Sequence, residues 1–154
     1  MGKKSKVLFL SRGSASRGQM AEGFLRDFAG DHFVASSAGT EAASVSPLAI
    51  EVMSELGVDI SNQTPNGIAS LFRETYQCVV ALCDERRERY PLYPFTPKVI
   101  RWSVADPEAA TGEPEERKQA YRRVRDQLRN RVEEFIETMK PRDRALANTH
   151  TAAA

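Results

Sequence analysis

A chain of 154 residues with 41% hydrophobic side chains can bury one full core and is too short for two ordinary ones. Its 22 Lys and Arg against 21 Asp and Glu leave a formal charge of +1, which excludes a net field that would recruit nucleic acid or an anionic membrane. No apolar run reaches the roughly 18 residues of a membrane span, MGKKSK precedes an apolar stretch too short for a signal peptide, and Cys78 and Cys83 are too few for a disulfide framework; one cytoplasmic domain with reduced thiols is expected.

The first element is KVLFL, Lys6 to Leu10, a run of strand formers stopped by Ser and Gly, as in a strand buried on both faces. From Gln19 to Ala29, Met20, Ala21, Phe24, Leu25 and Phe28 recur at helical spacing, with Gly30 at the C-cap position. A second strand is expected at Phe33 to Ser37, ended by Gly39. Pro47 opens a helix carrying Leu48, Ile50, Val52, Met53 and Leu56, which Gly57 ends. QCVVAL, Gln77 to Leu82, reads as a third buried strand and KVIRW, Lys98 to Trp102, as a fourth. Asp84 to Pro97, with three prolines and many charges, reads as a mobile flap. After Glu113 and Pro114 a helix is expected to about Met139, with Tyr121, Val124, Leu128, Val132, Phe135, Ile136 and Met139 on one stripe. Pro141 should stop it, leaving 141–154 as a disordered tail beyond a domain spanning 1–140.

Strands alternating with helices imply an α/β fold: a single three-layer domain whose four-stranded parallel sheet has helices on both faces. Right-handed crossovers then bring every strand-to-helix loop to one sheet edge. The loop after the first strand, Ser11 to Gly18, therefore faces the expected site. A loop between a buried strand and a helix N-terminus offers free N–H groups and the positive end of the helix dipole. Gly13, Ser14, Ala15 and Ser16 are small enough for the backbone to curl around a tetrahedral oxyanion, and Arg17 can fork two hydrogen bonds onto it. A plain Ser/Gly turn with a solvated arginine is the simpler alternative. No Gly-Lys-Ser/Thr follows, so this is not a Walker-type loop.

The loop SRGSASR, the QMAEGF that follows, SAGTEA at Ser37 to Ala42, SPLAIEVMSELGVDISNQT at Ser46 to Thr64 and WSVADP at Trp102 to Pro107 together resemble the low-molecular-weight protein tyrosine phosphatases and the thioredoxin-coupled arsenate reductases that share their flavodoxin-like fold. The resemblance runs from Lys6 to Met139 and favours the reductase branch, since Glu108 and Ala109 stand where the phosphatases usually have aromatics. It implies an anion-binding loop of Arg12, Gly13, Ser14, Ala15, Ser16, Arg17 and Gly18, with Asp106 protonating the leaving group; a simple Asp-Pro turn is the alternative there. It also implies a cysteine nucleophile, and at that place stands Ser11. A helix N-terminus and an arginine bring a thiol from about 8.5 into the 3.5 to 7.5 range, whereas a serine hydroxyl starts too high for the same help. His32 and His150 are the only histidines, and neither has a sequence reason to serve as a base for Ser11.

The reductases also use two relay cysteines. Cys83 matches the first and Tyr90 stands at the second, while Ser16 occupies a place where the family often has cysteine. A strand-end residue is the simpler reading of Cys83, and a small core hydrophobe that of Cys78. The expected function is an oxyanion-binding relative of arsenate reductase, catalytically impaired as written. Two alternatives stay open: an active reductase or phosphatase whose nucleophilic cysteine was changed to Ser11, and a non-catalytic interaction scaffold. The implied partners are phosphate, arsenate or a phosphorylated protein, and a thiol reductant through Cys83; no cofactor, metal, nucleic acid or membrane is implied. Arginines on the last helix read as an ion-paired surface rather than a nucleic-acid face, because acids share it. Those between Glu85 and Arg89 either meet an anionic substrate or keep a long loop soluble.

Overall fold

The computed structural model describes residues 3–12, 16–39, 45–64, 66–67, 69, 73–87, 89 and 99–153, with 140–153 as backbone. The apolar run Val7 to Leu10 forms the middle of β1 (Ser5–Ser11), and all four of its side chains are at most 1% exposed. Successive strand side chains point to opposite faces, so this burial requires cover on both sides of the sheet. Val7 and Phe9 enter the main core, whereas Leu8 and Leu10 pack with Ala38, Tyr76 and Val79 on the other face.

β1 pairs in parallel with β2 (Phe33–Gly39) and with β3 (Cys78–Cys83), and β3 pairs in parallel with β4 (Val99–Ser103). The order β2-β1-β3-β4 is the expected four-stranded parallel sheet. Its register places Ser11 opposite both Gly39 and Leu82, so the C-terminal ends of the two central strands and of β2 share one edge. His32 lies at the opposite edge, where its carbonyl accepts from Ser5 N.

The helices α1 (Ser16–Ala29), α2 (Pro47–Ser54) and α3 (Pro114–Ala153) all contribute to the main core. α2 starts where Ser46 caps it by accepting from Ala49 N and Pro47 supplies a preset first-turn φ. It ends at Ser54, before Leu56, and Gly57 turns the chain with φ +76°. On α3 the expected stripe from Tyr121 to Ile136 is buried. Phe135 joins it to the sheet through rings 5.6 Å from Phe33 and 6.5 Å from Trp102, which itself lies 6.0 Å from Phe9. Glu55, the C-cap of α2, ties α2 to α3 by accepting from Arg122 at 2.8 Å and Arg125 at 2.7 Å.

The expected stop at Pro141 is corrected by the structure, in which α3 continues to Ala153. Proline inside a helix removes one backbone donor and crowds the carbonyl four residues back, and here Arg142, Arg144, Ala145, Leu146 and Ala147 beyond it are strong helix formers that favour continuation. Among the described residues no helix is long and apolar enough to cross a membrane. The flap between β3 and β4 is described only as far as a turn at 85–87 and Arg89.

Candidate functional site

Ser11 ends β1 and Ser16 begins α1, so the anion loop leaves the sheet at its C-terminal edge as expected. Arg12 N donates to Leu82 O at 3.2 Å, which carries the ladder one residue beyond the strand. Gly13, Ser14 and Ala15 lie outside the described residues. Ser11 is fully buried, and its Oγ accepts from Gly18 N at 2.9 Å. A first-turn helical N–H thus points at the γ atom of residue 11, where it would favour negative charge. Gly18 makes this approach because it has no side chain: a Cβ there would lie 3.0 Å from both Ser11 Oγ and Phe9 O.

Arg17 is completely buried. Its Nη1 donates to Val104 O at 3.0 Å and its Nη2 to Arg12 O, while Nη2 also lies 3.8 Å from Asp106 Oδ2. The guanidinium therefore links the start of the loop to the segment after β4 through main-chain oxygens. Val104 is fixed in turn, its N–H donating to Cys83 O at 3.0 Å. Asp106 performs the simpler job weighed for it, accepting from Glu108 N at 3.0 Å as N-cap of a short 3-10 turn at Pro107–Ala109. Its other oxygen faces Arg17, so turn capping and a place at the site coexist.

Several participants have no local signal in the sequence. Ser16 Oγ donates to Glu108 Oε1 at 2.7 Å, closing the loop's far end onto the Asp106 turn across a separation of 92 residues. Ser46 Oγ bonds Tyr121 Oη at 3.1 Å, and burial, reinforced by the nearby Glu108 and Asp106 charges, raises the Tyr121 phenol above its usual value against the opposing hydrogen bonds of Ser46 and Ser16. Ser46, Glu108 and Tyr121 border a groove of about 590 Å³. Glu22, one turn farther along α1, is buried and paired with Arg26 at 3.2 Å; desolvation holds its carboxyl above the usual range. Helical spacing places Glu22 on one face with Gly18 and Leu25, both buried, but its charge argues for the solvent face.

Cys83, the last residue of β3, is fully buried one residue beyond the partner of Ser11, and Cys78 is buried at the other end of that strand. Tyr90 lies outside the described residues. The structure thus brings Ser11, Arg12, Ser16, Arg17, Gly18 and Asp106 to one sheet edge with Cys83 beside them, and keeps His32 away. Among the described residues no three His, Cys, Asp or Glu side chains gather as a metal site. A helix N-terminus, a buried guanidinium and a carboxylate beside it are the kinds of group that bind a tetrahedral oxyanion and handle a proton next to it.

The family model for low molecular weight phosphotyrosine protein phosphatases matches residues 6–145. The chain is 40% identical over 134 residues to an arsenate reductase of Bacillus subtilis, covering 87% of this chain and 96% of the relative. It is 38% identical over 137 residues to an arsenate reductase of Halalkalibacterium halodurans, covering 89% and 99%. Among solved structures, an arsenate reductase in the phosphate binding state superimposes with a TM-score of 0.73 at 31% identity, covering 88% of this chain and 98% of that one.

Proposed function

This chain belongs to the low molecular weight phosphotyrosine protein phosphatase family, and within it we propose an arsenate reductase-like protein that binds phosphate- or arsenate-type oxyanions in the Ser11 to Gly18 loop but has lost most or all turnover. The observation that carries the reading is the buried Arg17, held by Val104 O and Arg12 O beside Asp106. A fully buried guanidinium is costly unless its donors are used, and this one is fixed where an anion in the loop would meet it. The phosphate-bound state of a structural relative supports the same ligand class.

Impairment follows from the atom at position 11. Gly18 N–H and the α1 dipole favour negative charge on the γ atom, and for a thiol that help is enough to make thiolate abundant at neutral pH. For the Ser11 hydroxyl it is not, and His32 stands at the opposite sheet edge, where it cannot serve as a base. Asp106 keeps a place from which a leaving group would be protonated, so the general acid outlives the nucleophile. Cys83, with Tyr90 in place of a second relay cysteine, offers a thiol reductant a single buried sulfur.

The test is a calorimetric titration of phosphate and of arsenate into the protein, with Arg17→Lys as the variant and a thermal melt of each to establish folding. Saturable binding that weakens at least about tenfold in a folded Arg17→Lys protein is expected, since lysine cannot reproduce the fork. No binding up to millimolar anion would overturn the proposal. Ser11→Cys should then show thiol-dependent hydrolysis of aryl phosphates. An inert but phosphate-binding Ser11→Cys would mean that catalysis is lost at more than one position.

A further inference from the structure

Several cations on this protein face a carboxylate. Lys118, Arg122 and Arg125 converge on Glu51, Glu55 and Glu115, Arg129 pairs with Glu133, and Arg26 with Glu22. Arg12, Arg87 and Arg89 do not: among the described residues none has a carboxylate within ion-pair distance, although all three line one open pocket of about 400 Å³. Among the described residues that line it, three guanidiniums stand against the one carboxylate of Glu85.

The pocket is built rather than incidental. Asp84 turns the chain at the end of β3, accepting from Arg87 N at 2.9 Å through its carbonyl and from Arg86 N at 3.1 Å through its side chain, while Glu85 N donates to Ser103 Oγ at 3.2 Å. Arg12 reaches across and donates from Nη1 to Arg89 O at 3.2 Å, which leaves most of its five-donor fork for another acceptor. Like charges brought together in excess of their counter-charge repel one another, so three guanidiniums beside the single described carboxylate of Glu85 gain when a further anion joins them. Arg12 is also the first residue of the anion loop, which makes the pocket contiguous with the oxyanion site.

We propose that Arg12, Arg87 and Arg89 form a second anion subsite, which takes the acidic side chains of a protein segment whose own oxyanion group occupies the Ser11 to Gly18 loop. The inference rests on the oxyanion-binding reading for its second contact, though the subsite can be tested without it. An extended segment suits the surroundings because the loop has an opening on each side. The arginine pocket lies at Arg12, and at Ser16 the groove beyond Glu108 is lined by Val45, Pro47, Leu48 and Tyr121. A polyanion such as RNA suits them poorly, since Glu85 stands in the pocket and Glu108 in the groove and the net charge is only +1.

The experiment titrates fluorescent peptides into the whole protein and into an Arg87→Gln/Arg89→Gln double variant, whose changes fall on exposed side chains. The peptides carry one phosphorylated residue flanked by Asp and Glu, or by Asn and Gln. The wild type should bind the acidic peptide about tenfold more tightly than the amide peptide at low salt, less so at high salt. The double variant should lose that preference while inorganic phosphate binds it as before. Equal affinity for the two peptides, or tighter binding of an RNA oligomer than of the acidic peptide, would overturn the subsite. A double variant that loses phosphate as well would also overturn it, by making these arginines part of the loop site. If phosphate fails to bind the wild type but an unphosphorylated acidic peptide still does so through Arg87 and Arg89, the loop reading alone fails; if neither binds, both fail.

Discussion

Replacing Gly18 with alanine tests the geometry on which the site depends. In an ordinary exposed helix the change would stabilise by up to about 1 kcal/mol, because glycine is a poor helix former. Here the added Cβ lies 3.0 Å from Phe9 O and 3.0 Å from Ser11 Oγ, with Ser37 Cβ at 3.3 Å. The Phe9 oxygen belongs to the central strand and cannot withdraw, so α1 must shift away from the sheet. Overpacking of this kind costs roughly 1–3 kcal/mol, and the stretched Gly18 N–H to Ser11 Oγ bond about 1 kcal/mol more. The net expectation is a destabilisation of about 1–3 kcal/mol. For a chain of this size that lowers the melting temperature by roughly 2–12 °C, and displacement of the α1 N-terminus should weaken phosphate binding at least about tenfold. Scanning calorimetry and a phosphate titration on one preparation read both effects. Gly67→Ala, where a Cβ meets nothing within 4 Å, serves as the control and should change stability by less than about 0.5 kcal/mol. A Gly18→Ala protein that melts higher and binds phosphate normally would refute the reasoning.

Two further predictions concern what holds α3 in place. Leu128→Ala empties a fully buried position between Val124 and Val132 and should cost about 2–5 kcal/mol in urea unfolding; a loss below about 1 kcal/mol would mean that α3 is not docked there. The Glu55 carboxyl is held at about 2 by hydrogen bonds from Arg122, with Arg125 adding to them. Because the folded value lies below the unfolded 4.5, its stabilisation is present above about pH 4.5 and lost as pH falls toward 2. The urea midpoint of the wild type should therefore fall across that window more than that of Glu55→Gln, and parallel curves would dismiss the Glu55 bridge.

What could be read from the sequence is what local chemistry controls. Val7 to Leu10 and Cys78 to Leu82 are apolar throughout because both faces of their strands are covered, and the loop after Leu10 is small and polar where a short connection joins strand to helix. The stripe from Tyr121 to Ile136 shows itself by helical spacing. Contacts between distant residues left no such mark. Nothing near Ser16 announces a bond to Glu108, nothing near Ser46 a bond to Tyr121, and the charge of Glu22 points away from its buried position. Arg17 is the intermediate case: its spacing from Ser11 suggested a fork for an anion, but the carbonyls that hold it come from Arg12 and Val104, whose side chains have no part in the contact. Pro141 misled because a breaker was weighed without the helix formers that follow it.

The anchoring of Arg17 has a consequence for descent. Carbonyl oxygens are present whatever residue occupies a position, so drift at 12 or 104 leaves the tether in place. A lineage can exchange the reactive atom at position 11, or shed its relay partners, without loosening the scaffold that surrounded them. Loss of reactivity and loss of shape can then proceed on separate clocks.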